Sequence, residues 1–171
     1  MKKHNREMTQ YQVSVAVEGI AAALFAPAGF HVSVQYGANQ PGYDLIVERG
    51  MKSHLVSVKG SQDGAWGLTQ SFLEKGKADY CGAIDKWLQK HDEKLIFCFV
   101  QFKNKRIDEM PEVFVATCGE VATHLKKSGG GRGDTVLHIE KIWKSGKRVG
   151  HIDRIPENWR FSRERVEALL K

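Results

Sequence analysis

Glu18, Asp44, Ser57 and Lys59 stand in an order that suits chemistry on a phosphodiester. Glu18 sits in the first segment with helical periodicity, Asp44 precedes the apolar run Leu45 to Val47, and Ser57-Val58-Lys59 closes the next apolar run. Alternate side chains of a strand share a face, so Ser57 and Lys59 belong together while Val58 points into the core. A hairpin of the two runs would bring Asp44, where one arm starts, beside Lys59, where the other ends. Carboxylates hold a hard divalent cation such as Mg²⁺ or Mn²⁺ through oxygen. Such a cation polarises a phosphate and lowers the pKa of an attacking water, and a neighbouring ammonium stabilises the charge that develops in the transition state.

The elements that must position these groups are readable as patterns. Thr9 and Gln12 form a capping box that opens a helix, and Val17, Ile20, Ala21 and Leu24 give it one apolar stripe before Pro27 and Gly29 stop it. A strand is expected over 30–35, then a turn-rich link over 37–42 containing Pro41. The hairpin follows, with arms 44–48 and 54–59 and its turn at 49–53. A polar loop over 60–67 leads to a short helix over 68–75 and a longer one over 79–91. The apolar run 95–102 suits a strand buried on both faces. Beyond it the chain reads as a strand (112–116), a helix (119–127), a flexible loop (128–133), a strand (135–140), a basic turn (144–150) and a closing helix (162–170). The expected fold is a single α/β domain over 1–171 with a mixed sheet flanked by helices.

The stretch Pro41-Gly42-Tyr43-Asp44, twelve intervening residues, then Ser57-Val58-Lys59-Gly60 resembles the signature of the PD-(D/E)xK nuclease superfamily. That superfamily includes restriction endonucleases and Holliday junction resolvases. The resemblance covers 9–102 and implies a restriction endonuclease-like core in the order α-β-β-β-α-β. It implies a metal-dependent DNA endonuclease using Mg²⁺ or Mn²⁺, with Asp44 as metal ligand and Lys59 as catalytic lysine. Glu18 matches the extra acid of the resolvase-like branch. Ser57 departs from the pattern, because the usual residue two before the lysine is acidic. Three explanations stay open. The acid has migrated, as in superfamily members with a Ser-x-Lys that take a glutamate from the following helix; Glu74, fourteen intervening residues after Lys59, and Asp63 are the candidates. Or Glu18 and Asp44 suffice, with backbone carbonyls and water, Ser57 binding a metal-held water. Or the site is inactive and the fold binds nucleic acid or another partner.

Contacts to DNA are expected from the loop after the lysine, where Gln62 and Gln70 can donate hydrogen bonds and Trp66 can stack. Further contacts are expected from the basic extension 126–171, in particular Lys144, Lys147 and Arg148. The chain's formal charge of +6 falls entirely within that extension, with 1–125 balanced. Such a segment attracts a polyanion, DNA first and RNA as the alternative. Cutting both strands of a duplex calls for two sites, hence a homodimer.

Composition excludes other classes. At 42% hydrophobic and 27% charged residues, the chain is neither disordered nor fibrous. No apolar run approaches the ~20 residues of a membrane span, and no apolar segment follows the basic start, so a cytoplasmic protein without membrane association is expected. Cys81, Cys98 and Cys118 are odd in number and widely spaced, which argues for buried free thiols over disulfides or zinc. Gly129-Gly130-Gly131 lacks the Gly-Lys-Ser/Thr of a phosphate loop, so no nucleotide cofactor is indicated. His151 and Asp153 have strand spacing but no third ligand nearby, and read as surface residues.

Overall fold

Thr9 caps helix α1 (Gln10–Phe25) as expected: Gln12 N–H donates to the Thr9 hydroxyl at 3.2 Å, and Thr9 N–H donates to the Gln12 side chain at 2.9 Å. In this computed structural model, residues 8–35 and 42–171 are described; the 37–42 link, with Pro41, lies outside them except for Gly42. The main sheet has five strands: β1 (His31–Val34), β2 (Leu45–Arg49), β3 (Lys52–Ser61), β5 (Ile96–Gln101) and β6 (Glu112–Thr117), in the spatial order β1-β2-β3-β5-β6. All neighbours are antiparallel except β3 and β5, which run parallel, so the sheet is mixed. Between β3 and β5 the chain forms β4 (Ala65–Gly67) and helix α2 (Tyr80–Gln89). After β6 come helix α3 (Cys118–Gly131), β7 (Val136–His138), β8 (Glu140–Ile142), β9 (Ile152–Arg154) and helix α4 (Arg163–Leu169).

Period-two alternation divides the core between the two faces of this sheet. Val56, Val58, Cys98, Val100, Val113 and Val115 pack with Val17, Ala21 and Phe25 of α1 and Val166 of α4. Phe97, Phe99, Phe114 and Ala116 pack with Ile84 and Trp87 of α2 and Val121 and Leu125 of α3. Every residue of β5 is buried, in keeping with its continuous apolar sequence. Cys98 and Cys118 are buried free thiols, each pushed up to about 12 by burial, while Cys81 is only half-buried.

Helix α1 packs tightly over β3 at Gly60. A Cβ there would overlap Val13 and stand 2.9 Å from Val17 Cγ1, and both side chains are stiff at χ1. Gly60→Ala is therefore expected to destabilise the fold by about 1–3 kcal/mol. Adding Val13→Ala should recover most of that loss in urea unfolding. An unchanged midpoint for the single variant would show that α1 is not seated by this contact.

Three expectations change. The 68–75 helix is only a 3-10 turn at Gln70–Phe72, because the chain is held at Leu68 and Thr69, whose N–H groups both donate to Thr135 O at 3.1 Å. The polar loop 60–67 is partly strand, since β3 continues to Ser61 and β4 pairs with β7 far along the chain. The 135–140 strand divides at Ile139, whose N–H donates to Gly64 O at 2.9 Å, leaving β7 with β4 and β8 with β9. No helix among the described residues is long and apolar enough to cross a membrane.

Candidate active site

The end of β3, the start of β2 and one face of α1 enclose an open cleft of about 620 Å³. Glu18, Asp44, Val58, Lys59 and Asp63 all line it. Each arrives by a local rule. Gln10, Ser14 and Glu18 recur every four residues, so α1 presents them along one side, and all three line the cleft. Asp44 sits just before β2, and its own N–H donates to Val56 O at 2.8 Å. The β2–β3 ladder ends there, which leaves Val58 N–H without a strand partner. The Asp44 carboxylate takes that place: Val58 N–H donates to Oδ2 at 2.6 Å. The hairpin thus holds Asp44 to the strand that carries Lys59.

Ser57 supports the carboxylate from within. It is 2% exposed, and its hydroxyl donates to Asp44 Oδ2 at 3.3 Å. It does not line the cleft, and its hydroxyl is turned to Asp44. Ser14 supports Glu18, its hydroxyl donating to Oε1 at 2.9 Å. Lys59 is fixed through its backbone, whose carbonyl accepts Trp66 Nε1–H at 3.0 Å. Asp63 accepts from the Ser61 hydroxyl at 2.9 Å and from Ala65 N–H at 3.0 Å, which shapes the turn between β3 and β4.

Four expected site residues lie elsewhere or are otherwise engaged. Trp66 is 3% exposed and packs on Phe99 with ring centroids 5.2 Å apart, so its faces are core surface and not a stacking platform. Gln62 lines the cleft, but both ends of its amide bond the backbone of Met8, accepting at 2.8 Å and donating at 2.9 Å. It tethers the approach to α1. Glu74 does not line the cleft; Lys77 and Lys86 donate to it at 2.6 and 2.7 Å, and those hydrogen bonds hold its carboxyl below the ordinary range. Gln70 lies in the 3-10 turn with its amide against Gly67, also outside the cleft lining. Gln10 and Ser14 are the cleft residues that sequence reasoning passed over, although their fourfold spacing from Glu18 was the available signal.

Carboxylates dominate the cleft: Glu18, Asp44 and Asp63 against the one ammonium of Lys59. Among the described residues, no three His, Cys, Asp or Glu side chains gather in a group able to hold a metal ion. In the basic extension, Lys144, Lys147 and Arg148 are exposed around the β8–β9 connection, and Arg148 also donates to Gly130 O at 2.9 Å. Asp153 is not an ordinary surface residue. Burial pushes its carboxyl up, but hydrogen bonds from Trp143 Nε1 (2.6 Å), Gly129 N–H (2.8 Å) and the His151 ring (3.0 Å) outweigh this and hold it below its usual value.

The architecture is α/β, a mixed five-stranded sheet with helices on both faces. Among solved structures the chain is similar to a bacterial homing endonuclease, I-Ssp6803I, with a TM-score of 0.50 over 95% of this chain and 94% of that one. The sequences are 12% identical, so the likeness is one of fold. No protein-family model matches the chain. No curated protein matches it either.

Proposed function

We propose that this protein is a metal-dependent DNA endonuclease that hydrolyses phosphodiester bonds in the α1–β3 cleft. The observation that carries the reading is that Glu18, Asp44 and Lys59, from a helix and both arms of a hairpin, line one open cleft. Two carboxylates suit Mg²⁺ or Mn²⁺, because Mg²⁺ keeps several waters and is commonly held by one or two carboxylates together with substrate phosphate. When bound, such a cation polarises the phosphate and acidifies a water. The cleft lining carries three carboxylates to one ammonium, a balance that a bound cation would offset when a polyanion approaches. Lys59 places an ammonium where phosphate oxygens gain charge. Asp44 keeps its geometry through Val58 N–H and Ser57. Glu18 is oriented by Ser14.

A second reading, a nucleic-acid-binding protein on the same scaffold without catalysis, is favoured by Ser57. A buried hydroxyl stands where the resemblance calls for an acid, and it bonds the Asp44 oxygen that Val58 also occupies.

Incubation with plasmid, linear, single-stranded and four-way-junction DNA, under Mg²⁺, Mn²⁺ or EDTA, separates the two readings. The nuclease cuts at least one substrate with metal and none with EDTA. Salt-sensitive binding without cutting under any metal would overturn the first reading in favour of the second.

A further inference from the structure

Strands β8 and β9 form a two-stranded sheet that pairs with no other strand, in the register Glu140↔Arg154, Lys141↔Asp153 and Ile142↔Ile152. Its inner face is docked. Trp143 lies against Gly129, where a Cβ would come within 2.8 Å of its ring, and Asp153 joins Trp143 Nε1 to Gly129 N–H. Gly129 and Gly130 have φ of 60° and 63°, a backbone that side-chain-bearing residues rarely adopt. The end of α3 is thus built to receive this ribbon and hold it rigid.

The outer face is exposed and carries the Glu140–Arg154 ion pair. Ile142 and Ile152 face each other across the strands at 51% and 43% exposure, and Val149 in the turn is 67% exposed. Lys144 and Lys147 are exposed beside them. Five of the twelve cations over 126–171 have acidic partners: Lys126 with Asp85, Lys141 with Asp134, Arg154 with Glu140, Arg160 with Glu157 and Arg165 with Glu120. Lys144 and Lys147 have none among the described residues. In the chain the ribbon follows β7, which pairs with β4, whose Ala65 lines the cleft.

We infer that the outer face of the β8–β9 ribbon seats in the groove of duplex DNA, Lys144 and Lys147 contacting phosphates and the Ile142–Ile152 pair lying against base edges. The inference rests on the reading of this protein as one that acts on DNA. A two-stranded antiparallel ribbon fits the ~12 Å major groove, and apolar side chains there contact thymine methyl groups. A ribbon already rigid loses little freedom on binding.

The test measures binding apart from cutting. A fluorescein-labelled duplex of about 20 base pairs, long enough for roughly two turns, is titrated in EDTA with Lys59→Ala protein over a range of salt. Lys144→Gln with Lys147→Gln should weaken binding about tenfold or more and reduce the salt slope by about two. Ile142→Ser with Ile152→Ser should weaken binding and leave the slope unchanged. Lys75→Gln with Lys94→Gln, the same charge removed outside the ribbon, should match the parent. Equal affinity and slope for the ribbon variants and the parent would overturn the inference, as would equal losses in the control. Ribbon variants that lose binding to poly-glutamate while keeping duplex binding would overturn it too, assigning the face to an acidic protein. The substituted side chains are exposed, so all variants should keep the parent's melting temperature. A chain with Lys59 intact that cuts nothing, while duplex binding still depends on the ribbon, would end the nuclease reading and leave this one standing.

Discussion

Lys59→Ala will lower metal-dependent cleavage at least about 10²–10³-fold while leaving the protein folded. The size follows from position: in a cleft whose other charged side chains are carboxylates, Lys59 carries the one positive charge among the lining residues. The fold survives because Lys59 is held through its backbone, by the parallel pairing of β3 with β5 and by Trp66. Its ammonium is not a structural partner among the described residues. The matching acid variant is better made as Asp44→Asn than as Asp44→Ala. Alanine would leave Val58 N–H without its 2.6 Å acceptor, at a cost of about 1–3 kcal/mol that blurs a catalytic reading. An asparagine oxygen can accept the same bond while the charge is lost. Cleavage rates over a metal titration, beside circular dichroism melts, check both variants. Full activity in Lys59→Ala would remove the lysine from the mechanism.

The second large effect is on stability. Trp66→Ala should destabilise the protein by about 3–5 kcal/mol, the range for deleting a buried aromatic. Trp66 is 3% exposed, packs on Phe99, and lies on β4 where that strand pairs with β7. At roughly 2–4 °C per kcal/mol for a chain of this size, the melting temperature should fall by about 10 °C. Trp66→Phe separates packing from the hydrogen bond. It keeps an aromatic ring against Phe99 but removes the N–H that Lys59 O accepts and part of the ring volume, so its loss should be smaller, about 1–3 kcal/mol. Equal losses for the two variants would mean that the hydrogen bond, and not the buried ring, holds β4 in place.

How much of this was legible depends on the distance over which each feature is decided. The Thr9–Gln12 capping box, the 79–91 helix and the buried run at 95–102 were readable because each is a pattern within one element. The closeness of Asp44 to Lys59 was readable for a related reason, since a hairpin register follows from spacing, whereas Glu18 was expected there only from the family resemblance. Glu74 was misplaced because the helix expected to carry it gives way at Leu68 and Thr69, whose backbone is held by Thr135, a contact no local propensity foretells. Trp66 read equally as a stacking residue or as core, because its burial depends on β7, a strand some seventy residues later. Ser57 could be recognised as a departure from the acidic pattern, but not as a buried donor to Asp44. The ribbon was visible only as a basic turn, since its second strand is three residues long and its docking depends on glycines at the end of α3.

The sequence by itself therefore determined most of the elements, the mixed α/β character, the location of the charge excess and the closeness of Asp44 to the strand that carries Lys59. Those are consequences of period, capping and composition, which act along the chain. The tertiary structure alone decided which carboxylates share the cleft with Lys59, that Ser57 and Ser14 orient them, that Trp66 belongs to the core, and that β8 and β9 stand apart with an uncovered face. Those outcomes depend on which distant segments close on one another, and burial and hydrogen-bond completion at such contacts override local preference.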